Sequence, residues 1–156
     1  MEFTPIGYVR SPFKDQHGTP IQPSFAKDAV GELILEEQYK EALADVDGFE
    51  RLWVLCAFHR TAPYKPRLVP YRDTVERGLF ATRAPSRPNP IGLSVVKLLR
   101  VEGNIIHVTN VDMLDGTPIL DIKPYVPRFD AYPNSKAGWL DRKTTSRQCA
   151  DGRFEK

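Results

Sequence analysis

Proline limits what this chain can fold into more than any other residue type. It occupies 14 of 156 positions, or 9%, where ~5% is usual. Each proline lacks a backbone N–H and fixes φ, so long helices are disfavoured and loops must be many. The prolines also cluster. Pro12, Pro20 and Pro23 fall within residues 11–29, and Pro85, Pro88 and Pro90 within residues 83–90. The first stretch lacks any periodicity and reads as a long ordered loop, a kind of segment that is often functional. The second has three prolines in eight residues and must be irregular.

Between the loops the pattern is mostly that of strands. Residues 3–9, 30–35, 49–58, 78–82, 91–101, 104–112 and 119–123 are the candidates. Residues 49–58 contain Leu52-Trp53-Val54-Leu55-Cys56, a continuous apolar run that predicts a strand buried on both faces. Glu102-Gly103-Asn104 is a hairpin signal, and Asp115-Gly116-Thr117-Pro118 is a turn. Residues 37–46 carry Tyr39, Leu43 and Val46 at helical spacing and predict one short amphipathic helix. Residues 61–77 are rich in proline and arginine with little pattern. Regular crossover helices, which a parallel sheet requires, are missing. The expected fold is therefore mainly β, a single-domain antiparallel β-barrel with one short helix and long Pro-rich loops; spacing alone does not separate barrel from sandwich. The domain is expected over 1–140. After Pro133 the chain turns polar, which predicts a weakly ordered tail, set at 141–156.

Charge is informative only when divided along the chain. The total is +2, but residues 1–50 carry 4 basic and 10 acidic side chains, residues 51–100 carry 10 and 2, and residues 101–156 carry 8 of each. A balance of +8 in the middle third (10 minus 2) suits an anionic partner. No apolar run approaches the ~20 residues of a membrane span, and residues 1–10 lack an export pattern. Two distant cysteines, Cys56 and Cys149, make no disulfide framework, so free thiols in a cytoplasmic protein are expected. Cys56 and His59 have the spacing of half a metal site without a second half, and His17 and His107 are isolated, so no metal is expected. Glycine-rich phosphate loops and hydrolase or zincin motifs are absent.

Four segments carry candidate chemistry. In Thr82–Ser94, prolines stiffen a loop bearing Arg83 and Arg87, fork-shaped donors for carboxylate or phosphate, and Gly92 permits close backbone approach. A rigid structural loop with solvated arginines is the alternative. Residues 112–127 place Asp112, Asp115, Asp121 and Lys123 at strand ends; Asp121 and Lys123 share a face and could be a plain ion pair. His59-Arg60 follows the apolar run, where a pocket mouth and a plain surface are equally compatible. Pro20-Ile21-Gln22-Pro23 is a stiff segment with one amide side chain.

These strings also resemble a known family. Residues 80–83 with Arg87-Pro88-Asn89-Pro90-Ile91-Gly92-Leu93-Ser94 resemble the central motif of the TsaA-like family, also called TrmO. Residues 115–125 resemble its second motif, residues 6–12 its first strand, and Phe58-His59-Arg60 its F-H-x element. Ile21 stands where that family often has arginine, and the chain ends before the extra C-terminal domain of some members. The resemblance implies an S-adenosylmethionine-dependent methyltransferase on a β-barrel, working as a homodimer. The implied substrate is tRNA, not DNA, carrying N6-threonylcarbamoyladenosine beside the anticodon, methylated on N6. By the same resemblance Gln22, His59, Arg60, Arg83, Leu93, Asp112, Met113 and Leu114 line the cofactor site. An N6 atom bearing a carbamoyl group needs to lose its proton, so a general base is expected; Asp121, Tyr125 and His59 are the candidates. Lys65, Arg67, Arg72, Arg77 and Arg87 are the expected tRNA contacts, with Tyr64 and Tyr71 as stacking platforms. A cofactor-sensing regulatory module and a small-molecule methyltransferase are the competing readings.

Overall fold

A computed structural model describes residues 1–142 and 145–155; positions 143, 144 and 156 of the expected tail lie outside the described residues. Among the described residues eight strands occur: β1 (Gly7–Arg10), β2 (Val30–Leu35), β3 (Arg51–Ala57), β4 (Arg67–Leu68), β5 (Arg77–Gly78), β6 (Ile91–Glu102), β7 (Ile105–Thr109) and β8 (Pro118–Pro124). Six of them close a barrel in the order β1-β2-β7-β6-β3-β8, while β4 and β5 form a separate two-stranded ribbon. Every neighbouring pair in the barrel is antiparallel. The expected mainly-β antiparallel barrel is therefore observed.

Closure leaves one face of each strand inward. Val9, Leu33, Leu52, Val54, Cys56, Val96, Ile106, Val108 and Ile119 are fully or almost fully withdrawn from water and form one core. At ~25 cal/mol per Å² of apolar surface, burying side chains of this size contributes about 1.5–3 kcal/mol each, which is what holds the sheet closed. The β6–β7 hairpin turns at Gly103, whose φ of 62° is a region that glycine enters at no steric cost.

β3 departs from expectation. It alternates: Leu52, Val54 and Cys56 point inward, while Trp53 and Leu55 are only partly covered. Its apolar run is continuous because the outer face is apolar too. On that face Trp53 lies beside Val95, Leu55 beside Leu93, and Ala57 beside Ile91. Ile91 and Leu93 are 42% and 55% exposed. The Trp53 ring also meets Tyr125 edge-on at 5.5 Å, and its indole N–H donates to Asp130. Asp130 belongs to α1 (Pro127–Asp130), a single turn.

Two other elements differ. Residues Glu37–Leu43 form a 3-10 rather than an α-helix, with only Leu43 buried, and Asp45 at φ 66° ends the segment. Too little apolar surface faces the barrel to stabilise a longer helix. Residues Leu79–Ala81 form a 3-10 turn instead of a strand, closed by both the N–H and the Oγ1 of Thr82 on the Leu79 carbonyl.

Within the expected tail, residues 145–155 pack onto the rest of the fold, which differs from the expected weak order. Phe154 is 6% exposed and packs with Leu68, Leu79 and Ala84 into a second apolar cluster. Its ring meets Tyr71 edge-on at 5.0 Å. The backbone of this segment joins the long N-terminal loop: Gly18 N–H donates to Ala150, Ile21 to Gln148, Ala150 to Thr19, and Ala62 to Phe154. Buried phenylalanine, not mean polarity, decides the order of this segment. Phe154→Ala is expected to cost about 3 kcal/mol in urea denaturation. It should also raise hydrogen-exchange rates at Gly18, Ile21 and Ala62 relative to core-strand amides.

Candidate functional site

The barrel and its second cluster enclose a cavity of about 650 Å³. Such a volume is typical of a nucleoside-sized ligand site. Four stretches far apart in sequence meet there: the N-terminal loop around Gln22, the end of β3, the proline-stiffened loop running into β6, and residues 112–114 after β7. Gln22, His59, Arg60, Arg83, Leu93, Asp112, Met113 and Leu114 all line the cavity.

The proline loop is held from within. Arg87 donates from Nη1 to the carbonyls of Thr82 (3.0 Å) and Ala84 (3.2 Å), and its guanidinium sits over the Phe80 ring. Arg87 therefore braces its own loop and lies in the cavity wall. Arg83 leaves the same loop and donates from Nη1 to the Gln22 side chain at 2.7 Å. That bond ties two of the four stretches together through a neutral partner. Arg60 is engaged by acids: Nη2 reaches Asp15 at 3.2 Å and Glu155 at 3.1 Å, and Nη1 donates to the Lys14 carbonyl. Gly92 has a role other than ligand approach. A Cβ there would lie 2.7 Å from the Cys56 sulfur and the Phe58 ring, so glycine lets β6 sit against the barrel's own interior.

Asp112 is the most perturbed carboxyl in the cavity. Burial pushes its pKa up to about 6; a hydrogen bond from Ser94 Oγ at 2.7 Å and the charge of Arg83 oppose the shift. Beneath it, burial and the Asp112 charge push the Cys56 thiol up to about 12, so this cysteine is a packing residue with no reactive thiolate. His59 is shifted the other way. Burial and the neighbouring Arg60 charge lower its pKa, so the imidazole is neutral at pH 7.

The remaining candidates lie elsewhere. Asp121 is paired with Lys123 at 2.7 Å on the outer wall, the plain ion pair anticipated, and Tyr125 packs on Trp53. Neither lines the cavity. Lys65 is exposed. Arg67 is bound to Glu76 and Arg77 to Asp73 at 2.7 Å. Arg72, by contrast, lines the cavity. Tyr71 is not a free stacking platform: it packs on Phe154, and its hydroxyl bonds Gln16 and the Asp151 carbonyl. Tyr64 is half exposed. The wall contributed by Trp139, Leu140, Ala150 and Phe154 was not anticipated. The isolated aromatics Trp139 and Phe154 in an otherwise polar stretch were its one available signal. Trp139 is fixed by its indole N–H on the Ala81 carbonyl at 2.7 Å.

Taken together, the fold and cavity define a β-barrel domain with a mostly apolar, arginine-bearing pocket. The chain belongs to the family of the tRNA-methyltransferase O N-terminal domain, whose model matches residues 8–131. It is 45% identical over 130 residues to an Archaeoglobus fulgidus protein named S-adenosyl-L-methionine-binding protein, covering 83% of this chain and 93% of that one. It is 39% identical over 148 residues to the Escherichia coli tRNA (adenine(37)-N6)-methyltransferase, covering 88% of this chain and 63% of that one. Among solved structures, TrmO from Pseudomonas aeruginosa superposes with a TM-score of 0.78 at 40% identity, over 92% of this chain and 64% of that one. The chain thus spans about two thirds of the length of these two enzymes. Among the described residues, no helix is long and apolar enough to cross a membrane.

The Asp112 environment has a measurable cost. A carboxyl whose folded pKa lies above its unfolded value of 3.8 weakens folding once it is ionised. Asp112→Asn is therefore expected to raise stability by about 1–3 kcal/mol above pH 6. The gain should shrink as pH falls through 6 and vanish below 4 in urea titrations at successive pH values.

Proposed function

We propose that the protein is an S-adenosylmethionine-dependent methyltransferase acting on N6 of the adenosine beside the tRNA anticodon, in its N6-threonylcarbamoylated form. The observation that carries this reading is the convergence, in one cavity, of Arg83 with only a neutral partner and Asp112 as a desolvated acceptor. The donor set fits the cofactor. Arg83 has guanidinium N–H groups left for an amino-acid carboxylate. Asp112 accepts from a ribose hydroxyl or an ammonium group. The backbone around Leu93 and Leu114, with their apolar side chains, suits an adenine ring.

The cofactor, when bound, supplies a methyl group on a sulfonium: the N–C bond forms as the S–C bond breaks, and that electron pair stays on sulfur. The chain's own part is alignment and proton handling. N6 of the modified adenosine must lose its proton as it is methylated. His59 takes that proton on an imidazole nitrogen, because it lines the cavity and is neutral at working pH. Asp121 and Tyr125 support the outer wall instead. The protein works as a homodimer, which suits the exposed apolar face formed by Ile91, Leu93 and their neighbours. It acts in the cytoplasm, where tRNA and free thiols coexist.

Incubation with cofactor and threonylcarbamoylated tRNA should add the mass of one methyl group to the modified nucleoside in mass spectrometry. Cofactor binding without that gain would overturn the reading in favour of a sensor. Arg83→Ala should weaken cofactor affinity about tenfold or more in calorimetry. His59→Gln should lower kcat about a hundredfold with cofactor affinity kept. In the wild-type protein the acid limb of kcat should lie below pH 6.5, the ordinary histidine value, and be lost in His59→Gln.

A further inference from the structure

The arginines of the cavity are not equivalent, and their existing partners sort them. Arg60 already faces two carboxylates, Asp15 and Glu155. Arg87 is tied to carbonyls of its own loop. Arg83 has the Gln22 amide oxygen. Arg72 differs from all three. Its Nε is buried and has no hydrogen-bond partner among the described residues. Its guanidinium lies over the Phe25 ring, 5.2 Å from the centroid. Its backbone is pinned by the Thr145 N–H on its carbonyl.

A desolvated guanidinium N–H without an acceptor is unfavourable until an anion arrives. Stacking on Phe25 takes up a face of the guanidinium and not its in-plane N–H groups, which are the ones that form paired hydrogen bonds to an anion. A tRNA backbone phosphate is a poor fit, since the Nε is buried in the cavity wall beside the Phe25 ring. A carboxylate on a small group that enters the cavity fits better.

Arg72 and Arg83 also flank one short element. Phe25, under Arg72, donates its N–H to the Gln22 carbonyl across the 3-10 turn Pro23–Phe25, and the Gln22 side chain accepts from Arg83. The two guanidiniums therefore sit at opposite ends of a single turn, and neither pairs with a carboxylate among the described residues. The proposed reaction brings two carboxylates to this cavity: that of the methionine moiety and that of the threonine on the substrate nucleoside.

We infer that Arg72 is the receptor for the threonine carboxylate of the substrate, with Arg83 reserved for the carboxylate of the cofactor. The inference rests on the function proposed above. It makes Arg72 a specificity-determining residue that selects the modified adenosine over a plain one, and moves it from the group of phosphate contacts into the cavity.

Binding of two free nucleosides tests this: N6-threonylcarbamoyladenosine, and N6-methylcarbamoyladenosine, which lacks the carboxylate. Both are titrated in the presence of S-adenosylhomocysteine. The wild-type protein should prefer the carboxylated nucleoside about tenfold or more. Arg72→Gln should abolish that preference, and Arg72→Lys should keep part of it, because the charge remains while the fork is lost. The affinity for S-adenosylhomocysteine should stay unchanged in both variants, which also reports that they are folded, whereas Arg83→Ala weakens it. Retained preference in Arg72→Gln would overturn the inference, as would loss of S-adenosylhomocysteine affinity in both Arg72 variants. Methyl transfer to tRNA without any nucleoside preference in the wild type would remove the inference and keep the proposed function. Preference without methyl transfer would do the reverse.

Discussion

The structure depends on a short seam. β1 pairs with β2 along its whole length but with β8 at only two positions, Gly7 with Ile119 and Tyr8 with Pro118. Without that seam the sheet would have two open edges and no enclosed core. Backbone bonds extend it beyond the strands: Ile6 donates to Ile119, Val9 to Thr117, and Gly116 to Val9. Side chains continue it further. The Ser11 hydroxyl donates to the Met113 carbonyl at 2.7 Å, and the Ser11 N–H to the Asp115 carboxylate. The interaction that closes the barrel therefore also fixes the turn that delivers residues 112–114 to the cavity. Fold and site share one set of hydrogen bonds.

That sharing explains which features were legible in the sequence. β2 and the β6–β7 hairpin were readable because alternation and a glycine turn are local signals. The eight expected cofactor-site residues line one cavity because Gln22 and Arg83 sit in loops stiffened by proline, Leu93 opens β6, and His59, Arg60 and residues 112–114 closely follow β3 and β7. β3 was misread since an apolar run does not say whether its second face meets the core or only an exposed patch. The C-terminal segment was misread for the opposite reason: its mean polarity hides Phe154, whose partners Leu68, Leu79 and Ala84 are some 70–90 residues away in the chain. Arg72 was grouped with surface cations because charge counting cannot distinguish a guanidinium over Phe25 from one in solvent.

The uneven distribution of charge along the chain has a structural counterpart. Part of the basic middle third is answered by acids close in sequence, as in Arg67 with Glu76 and Arg77 with Asp73. Arg60 is answered from both ends of the chain, by Asp15 and Glu155. The exposed ones among these pairs, such as Arg67 with Glu76, add little stability, but all of them remove cations from the set available to ligands. Among the described residues, what remains facing the cavity without an acidic partner is Arg72, Arg83 and Arg87, and Arg87 is occupied by backbone carbonyls. A middle-third balance of +8 thus reduces, at the site, to two available guanidiniums.

Asp112 and the Arg72 Nε are both costly for the fold to keep. A core composed only of the Val9–Ile119 type would be more stable with an apolar or neutral residue at position 112, since burial already pushes that carboxyl up to about 6. Likewise, a buried Arg72 Nε with no partner among the described residues is a defect in a protein that only needs to fold. Both groups become satisfied if the cavity is filled by a ligand that brings anions to the arginines and a donor to the carboxylate. Ligand binding and relief of buried polar strain are then one event, and free energy withheld from folding is available for affinity.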